Sequence, residues 1–227
     1  AVLDRMIENG TAELKFNINF FTTGDSKLPE YAGIWSAAMG TILTLLVTLA
    51  FAFPVGVLTA VYLEEFAPGN RFTQAIEINI NNLAAVPSIL FGLLGLAIFI
   101  NFFGMPRSSP LVGGLTLGLM TLPVIIITTR SALRSVPDTI RQAAFGVGCS
   151  RWQVVRDHVL PLSLPGILTG SIIGLAQAMG ETAPLIIVGM VAFIPDAPTA
   201  ITQAATVLPA QIFTWAGEPE QAYVERT

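Results

Sequence analysis

Three stretches without a single charged side chain, residues 31–63, 78–106 and 108–129, constrain this chain more than anything else in it. A helix that crosses the hydrocarbon core of a bilayer, about 30 Å thick, needs about 20 mostly apolar residues, and each stretch is longer than that. The rest of the composition agrees: 53% of the 227 residues are hydrophobic and 11% charged, against about 25% charged in an ordinary soluble domain. A fourth apolar stretch runs from Val159 to Pro195, broken only by Glu181, long enough to span the bilayer and continue irregularly. None of these resembles a secretory signal, because a basic leader and a small-residue cleavage site are missing. The expected class is all-α, a polytopic transmembrane helical bundle.

The net charge of −4 conceals an uneven distribution. Arg130, Arg134, Arg141, Arg151 and Arg156 all fall in one loop, between the third and fourth apolar stretches. By the positive-inside rule that loop is cytoplasmic. Counting back, loop 64–77 is cytoplasmic too, while residues 1–30, those near 101–110 and those after about 190 face the other side. Loop 64–77 is acidic, and acids weigh little in topology. The first helix is expected over Ala38 to Leu63, kinked near Pro54, the second over Pro87 to Phe103, and the third over Leu111 to Thr129. Gly113, Gly114 and Gly118 let helix backbones approach closely, so the third helix should pack against protein. Asn79, Asn81 and Asn82, leading into the second helix, form either an interfacial cap network or a polar lining.

Residues 1–32 read as an extracytoplasmic segment of modest order, 33–217 as one transmembrane domain with a cytoplasmic loop at 130–161, and 218–227 as an outer connector. With both ends on the outer side, a further helix is expected beyond each.

Within the basic loop, Pro137 and Asp138 mark a helix start, since proline suits the first turn and an acid its dipole. That helix should stop near Gly146 or Gly148. Ser150 and Gln153 have capping-box spacing, starting a second short helix that ends at Pro161. Two helices hinged at Gly148, with Trp152 beside Arg151, suit a protrusion that enters a groove on another protein. A hairpin lying in the lipid interface, with Trp152 at headgroup depth, reads equally from these residues.

Gln142-Ala143-Ala144, then Gly148 and Pro161, resemble the EAA loop of ABC importer permeases, with Gln142 where glutamate is usual. The resemblance narrows with Gly33-Ile34-Trp35, Gly40-Thr41-Ile42, Val86-Pro87-Ser88-Ile89, Leu122-Pro123-Val124, Met179-Gly180-Glu181-Thr182-Ala183-Pro184 and Gln211-Ile212-Phe213-Thr214-Trp215-Ala216. Together these look like the permease subunits of phosphate importers. The resemblance implies a type I ABC importer permease bundle in a bacterial or archaeal plasma membrane, bounded by membrane lipid. Its implied partners are cytoplasmic ATP-binding subunits, a second homologous permease and an extracytoplasmic phosphate-binding protein. Gln142, Ala143, Ala144, Gly148, Arg151, Trp152 and Pro161 would then belong to a coupling helix that docks on the ATPase. An importer of another oxyanion, sulfate or molybdate, shares the loop but should lack the Glu181 motif.

A phosphate anion costs tens of kcal/mol to move bare through hydrocarbon, by Born estimates of order ~20 kcal/mol per ion and more for a dianion. A lined pathway is required, and Thr182, Thr128, Thr129 and Arg130 are available donors. Glu181 is expected to pair with Arg130 or Arg134, or with an arginine of the second permease, in one state of transport; a permanent structural salt bridge is the competing account. The segment Ala197 to Gly217 reads as a surface-lying outer helix, either meeting the binding protein or packing as a lid. No Gly-x-x-x-x-Gly-Lys-Ser/Thr loop occurs, so ATP hydrolysis would fall to a partner. The lone His158 and lone Cys149 offer neither a catalytic constellation nor metal-ligand spacing; His158 is expected at the surface near a helix end. The reading is of a transporter subunit and not an enzyme, with no cofactor, metal or nucleic-acid partner.

Overall fold

The computed structural model describes residues 18–225; the expectations for 1–17 in the outer segment and for 226–227 in the connector lie outside them. Among the described residues all regular structure is helical. After a short helix α1 (Ile18–Thr22), helix α2 (Trp35–Val61) is prolonged by a π-helical turn, Tyr62–Phe66, into one element of 32 residues. Helix α3 (Arg71–Ala84) follows, then α4 (Ser88–Gly95) with a π-helical extension Leu96–Phe102. Helix α5 (Pro110–Arg134) leads to α6 (Asp138–Gly146) and α7 (Arg151–Gln153), which continues through a π-helical turn, Val154–Val159, into α8 (Leu160–Gly180). Trp35–Phe66, Pro110–Arg134 and Arg151–Gly180 are long and apolar enough to cross a membrane, and the pair α3 and α4 becomes a fourth candidate if counted as one broken span.

That pair, an approach through the asparagines and then the second helix expected from Pro87, bends by 104°. Pro87 causes the break: proline disfavours helical geometry in the residue before it, and Pro87 itself is extended, with ψ 135, as the N-cap of α4. Asn79, Asn81 and Asn82 therefore lie on the exposed side of α3, where the Asn79 amide donates back to the Ala75 carbonyl at 2.7 Å. They do not cap α4.

Helix α5 is the centre of the bundle, with 61% of its apolar window buried against 28% for the α2 element and 33% for the α7–α8 element. The expectation that α5 packs on protein holds, and its glycines show why. Gly114 lies against Thr44 and Val47, Gly118 against Phe51, and Gly56 of α2 against Ile125, so α2 and α5 run parallel at close range. On the other side Gly166 meets Ala132, Gly170 meets Thr128 and Gly174 meets Val124, which makes α8 antiparallel to α5. The buried face of α2 is a stripe of small residues, Ser36, Ala37, Gly40, Thr41, Thr44, Thr48, Ala52, Gly56 and Ala60. Its large side chains point outward, Leu46 at 55% and Leu58 at 68% exposure. This inside-out pattern suits lipid, where apolar burial drives no association and close backbone packing takes over. The Thr48 hydroxyl adds a bond across the interface, donating to the Gly114 carbonyl at 3.0 Å.

The chain leaves α8 at Glu181, whose extended backbone (ψ 124) ends the helix, and restarts as α9 (Ala183–Ile187). Pro184 sits in the first turn of α9, where its missing N–H costs nothing, packed on Gly92. The outer segment is likewise not one helix from Ala197 to Gly217. Only α10 (Leu208–Ala216) forms, followed by α11 (Gln221–Val224). Around the start of α10 and upstream of it the backbone also bonds to other elements: Leu111 N–H donates to the Ile201 carbonyl at 2.9 Å, Ala205 N–H to the Ser108 carbonyl at 2.8 Å, and Leu208 N–H to the Thr41 hydroxyl at 2.9 Å.

Candidate functional site

The basic loop is built outward from the end of α5. Helix α6 starts where expected, with Pro137 as N-cap and Asp138 in its first turn. It turns Ala144 inward, onto a cluster with Val61, Leu133, Val136, Val154, Val155 and Val159. Gln142 and Ala143 consequently face out and are exposed. Gly148 closes α6 with φ +87, a left-handed conformation that glycine adopts freely, and nothing surrounds the position of its absent Cβ. The capping box is present: Ser150 N–H donates to the Gln153 side chain at 2.8 Å, and Gln153 N–H to the Ser150 hydroxyl at 3.4 Å. Arg151 and Trp152 are exposed.

Two details of this loop differ from the sequence expectation. Pro161 does not end the helix begun at Arg151, which continues to Gly180. The π-helical turn Val154–Val159 just ahead of it shifts the hydrogen-bond register, so the helix passes a residue that has no N–H to give. The second helix is thus the foot of a long apolar helix and not a short hairpin arm. His158, half-buried within the π-helical turn, lies near the start of that helix instead of at a carboxyl-terminal end.

The arginines find partners that local sequence reading did not assign. Arg130, 15% exposed at its side chain, donates from Nε to Glu64 at 3.1 Å and from Nη2 to Glu77 at 2.8 Å. Arg134 donates to the other Glu64 oxygen at 2.7 Å. Arg141 donates to Glu65 at 2.8 Å, to the Val136 carbonyl at 2.6 Å, to the Leu133 carbonyl at 2.9 Å and to Asp138 at 3.2 Å. Loop 64–77 is acidic because it neutralises the basic loop. Phe66 completes the contact, with the Arg151 guanidinium 5.5 Å from its ring centroid and the Trp152 ring at 6.1 Å.

Glu181 is therefore not the partner of Arg130 or Arg134 in this structure. The contacts of α8 with α5 place Glu181 level with the Leu117 region, about 20 Å along the axis from Arg130 at 1.5 Å per residue, beyond side-chain reach. Glu181 is half-buried at the helix break and forms no ion pair with another described residue; Thr182 beside it is also half-buried. Thr128 bonds to its own helix, donating to the Val124 carbonyl at 2.8 Å, while the buried Thr129 hydroxyl has no partner among the described residues.

At the opposite end of the bundle, the Trp215 indole is buried and donates to Asp25 at 3.2 Å, and the Tyr223 hydroxyl donates to the Ser26 carbonyl at 2.6 Å. The Gln211 amide donates to the Gly33 carbonyl at 3.1 Å. Asp25, Ser26, Gln211, Trp215 and Tyr223 line part of a cleft of about 280 Å³. Burial raises the Asp25 carboxyl above its ordinary value, against the lowering effect of the Trp215 and Ser26 donors, and Glu218 pushes the same way as burial.

Comparison with known proteins adds three findings. The family described as "Binding-protein-dependent transport system inner membrane component" matches residues 52–216. A probable ABC transporter permease protein, YqgI of Bacillus subtilis, is 35% identical over 80% of the chain and 60% of its own length. The phosphate transport system permease proteins PstA 1 of Mycobacterium tuberculosis and PstA of Haemophilus influenzae are 35% and 31% identical, over 70% and 82% of the chain and 53% and 64% of their own lengths. The chain thus spans between 53% and 64% of the length of these relatives. Among solved structures, a chain of the inward-facing MetNI methionine ABC transporter superposes with a TM-score of 0.57 at 20% identity, over 86% of this chain and 81% of that one. The all-α permease fold follows.

Proposed function

The chain belongs to the binding-protein-dependent transport family of inner membrane components, and on that premise we propose that it is a permease subunit of an ATP-driven importer of inorganic phosphate. The observation that carries the substrate is the likeness to permeases named for phosphate transport, at 31–35% identity over 70–82% of the chain. A likeness to the fold alone would leave the substrate open, as the methionine transporter illustrates.

In this reading Gln142, Ala143, Gly148, Arg151 and Trp152 form the face offered to a cytoplasmic ATPase, with Ala144 anchoring it from behind and Pro161 standing where the foot of α8 enters the bundle. Their exposure beside a buried apolar cluster supports the assignment, since an interface needs accessible anchors on a firm support. Glu181 and Thr182 stand half-buried at the helix break that ends α8, where backbone groups freed from the helix would line a pathway. Arg130 and Arg134, held by Glu64 and Glu77, serve at the inner mouth and not as partners of Glu181. A second permease subunit completes the pathway, and an extracytoplasmic phosphate-binding protein delivers the anion.

The test is competition. Cells that depend on the full-length protein for uptake of radiolabelled phosphate should lose the signal to excess unlabelled phosphate and keep it in excess sulfate or molybdate. Equal competition by sulfate or molybdate would transfer the protein to another oxyanion.

A further inference from the structure

Three consecutive residues at the end of the α2 element grip three successive parts of the basic loop. Glu64 holds Arg130 and Arg134 of α5, at 3.1 and 2.7 Å. Glu65 holds Arg141 of α6 at 2.8 Å. Phe66 lies under Arg151 and beside Trp152 of α7, at 5.5 and 6.1 Å. On a regular helix successive side chains point about 100° apart. Here they sit on a π-helical turn that closes with the Ala67 N–H on the Tyr62 carbonyl at 2.8 Å; a turn with more residues than an α-helical one sets neighbouring side chains closer in angle, so all three reach parts of the same loop.

The middle contact is the firmest. Glu65 is only 9% exposed, and its partner Arg141 spends its guanidinium on four acceptors: Glu65, Asp138 and the carbonyls of Leu133 and Val136. Arg141 thereby fastens α6 to the last turn of α5 and to α2 at once. Charge-assisted bonds in a partly desolvated site are stronger than surface ion pairs. A side chain with one partner could swing away with α6; one with four acceptors on three elements holds its geometry.

We propose that Glu64, Glu65 and Phe66 form a clasp through which displacement of the basic loop is passed to α2, with Glu65 and Arg141 as its positioning pair. This rests on the reading of that loop as the ATPase-facing surface. The direct covalent route from the loop into the bundle runs through α5 and α8; the clasp adds α2, whose parallel packing on α5 carries the motion along the interface.

The test uses the full-length protein, assembled with its partner permease and ATPase and reconstituted in liposomes, and reads phosphate accumulated per ATP hydrolysed. Glu65→Gln should lower that ratio by about tenfold, the equivalent of one charge-assisted bond, and Arg141→Gln, which gives up four acceptors, by at least as much, while ATPase co-purification is kept. The double variant should fall no further than the worse single one, because both remove the same contact. A ratio that stays at the wild-type value, or losses that multiply in the double variant, overturns the clasp. Should either glutamine variant fail to insert, Phe66→Leu decides: it keeps an apolar side chain and removes the ring, so a ratio lowered about threefold supports the clasp and an unchanged ratio overturns it. Wild-type liposomes that accumulate no phosphate would instead overturn the functional reading on which the clasp rests.

Discussion

Replacing Gly114 by alanine puts the close packing of α2 on α5 to a quantitative test. A Cβ at this position would lie 2.5 Å from the Val47 Cβ and 2.7 Å from the Thr44 carbonyl oxygen. Neither is the free end of a flexible side chain, so the helices must separate by about 1 Å to restore van der Waals distance. Overpacking of this kind costs about 1–3 kcal/mol. Separation also stretches the 3.0 Å bond from Thr48 to the Gly114 carbonyl, worth a further ~1 kcal/mol. The sum is about 2–4 kcal/mol, which for a chain of this size lowers the thermal midpoint by about 4–16 °C. The assay is thermal unfolding of the purified protein in detergent, followed by circular dichroism. Gly69→Ala is the control, since nothing lies within 4 Å of its added Cβ. A Gly114→Ala midpoint equal to that of the control would refute the reasoning, because the two helices would not then be held at glycine distance.

Two further outcomes follow from the charged groups. Burial raises the folded-state pKa of Asp25, so its contribution to stability is full below the ordinary carboxylate pKa and is lost as pH rises through the raised value; hydrogen exchange over 208–225, corrected for intrinsic rate, should show more opening at neutral than at acid pH, and Asp25→Asn should flatten the difference. Glu181→Gln should lower phosphate uptake about tenfold with insertion unchanged, as expected of an ionisable group set in a membrane bundle for function; unchanged uptake would leave Glu181 without a role in transport.

The elements that were legible in the sequence are those whose signal is local. Charge-free runs located the α2, α5 and α8 helices, Gly113, Gly114 and Gly118 announced the buried centre, and Ser150 with Gln153 announced its capping box. What escaped depends on partners far along the chain or on changes of helical register. The pairings of Glu64 and Glu65 with arginines are 66 to 76 residues apart, a separation at which neither acid leaves a pattern. A run without charges gives the length of apolar chain but not its direction, so it does not show the 104° bend between α3 and α4. The sequence places a helix end at Pro161 because proline usually stops a helix, and a π-helical turn of six residues has no composition of its own. At Glu181 no residue type marks the break, and the nearby Pro184, by type a helix breaker, serves as a helix starter.

Phosphate uptake by cells carrying the full-length protein with Gly148→Asp, measured beside membrane insertion and ATPase co-purification, tests the central claim most directly. Gly148 is exposed, with φ +87 and open space around it, so the substitution strains the turn and adds a charge to the proposed docking face while leaving the bundle untouched. The account predicts normal insertion, loss of the ATPase on purification and loss of uptake. Normal uptake with the ATPase still bound would contradict it and return the loop to the lipid interface.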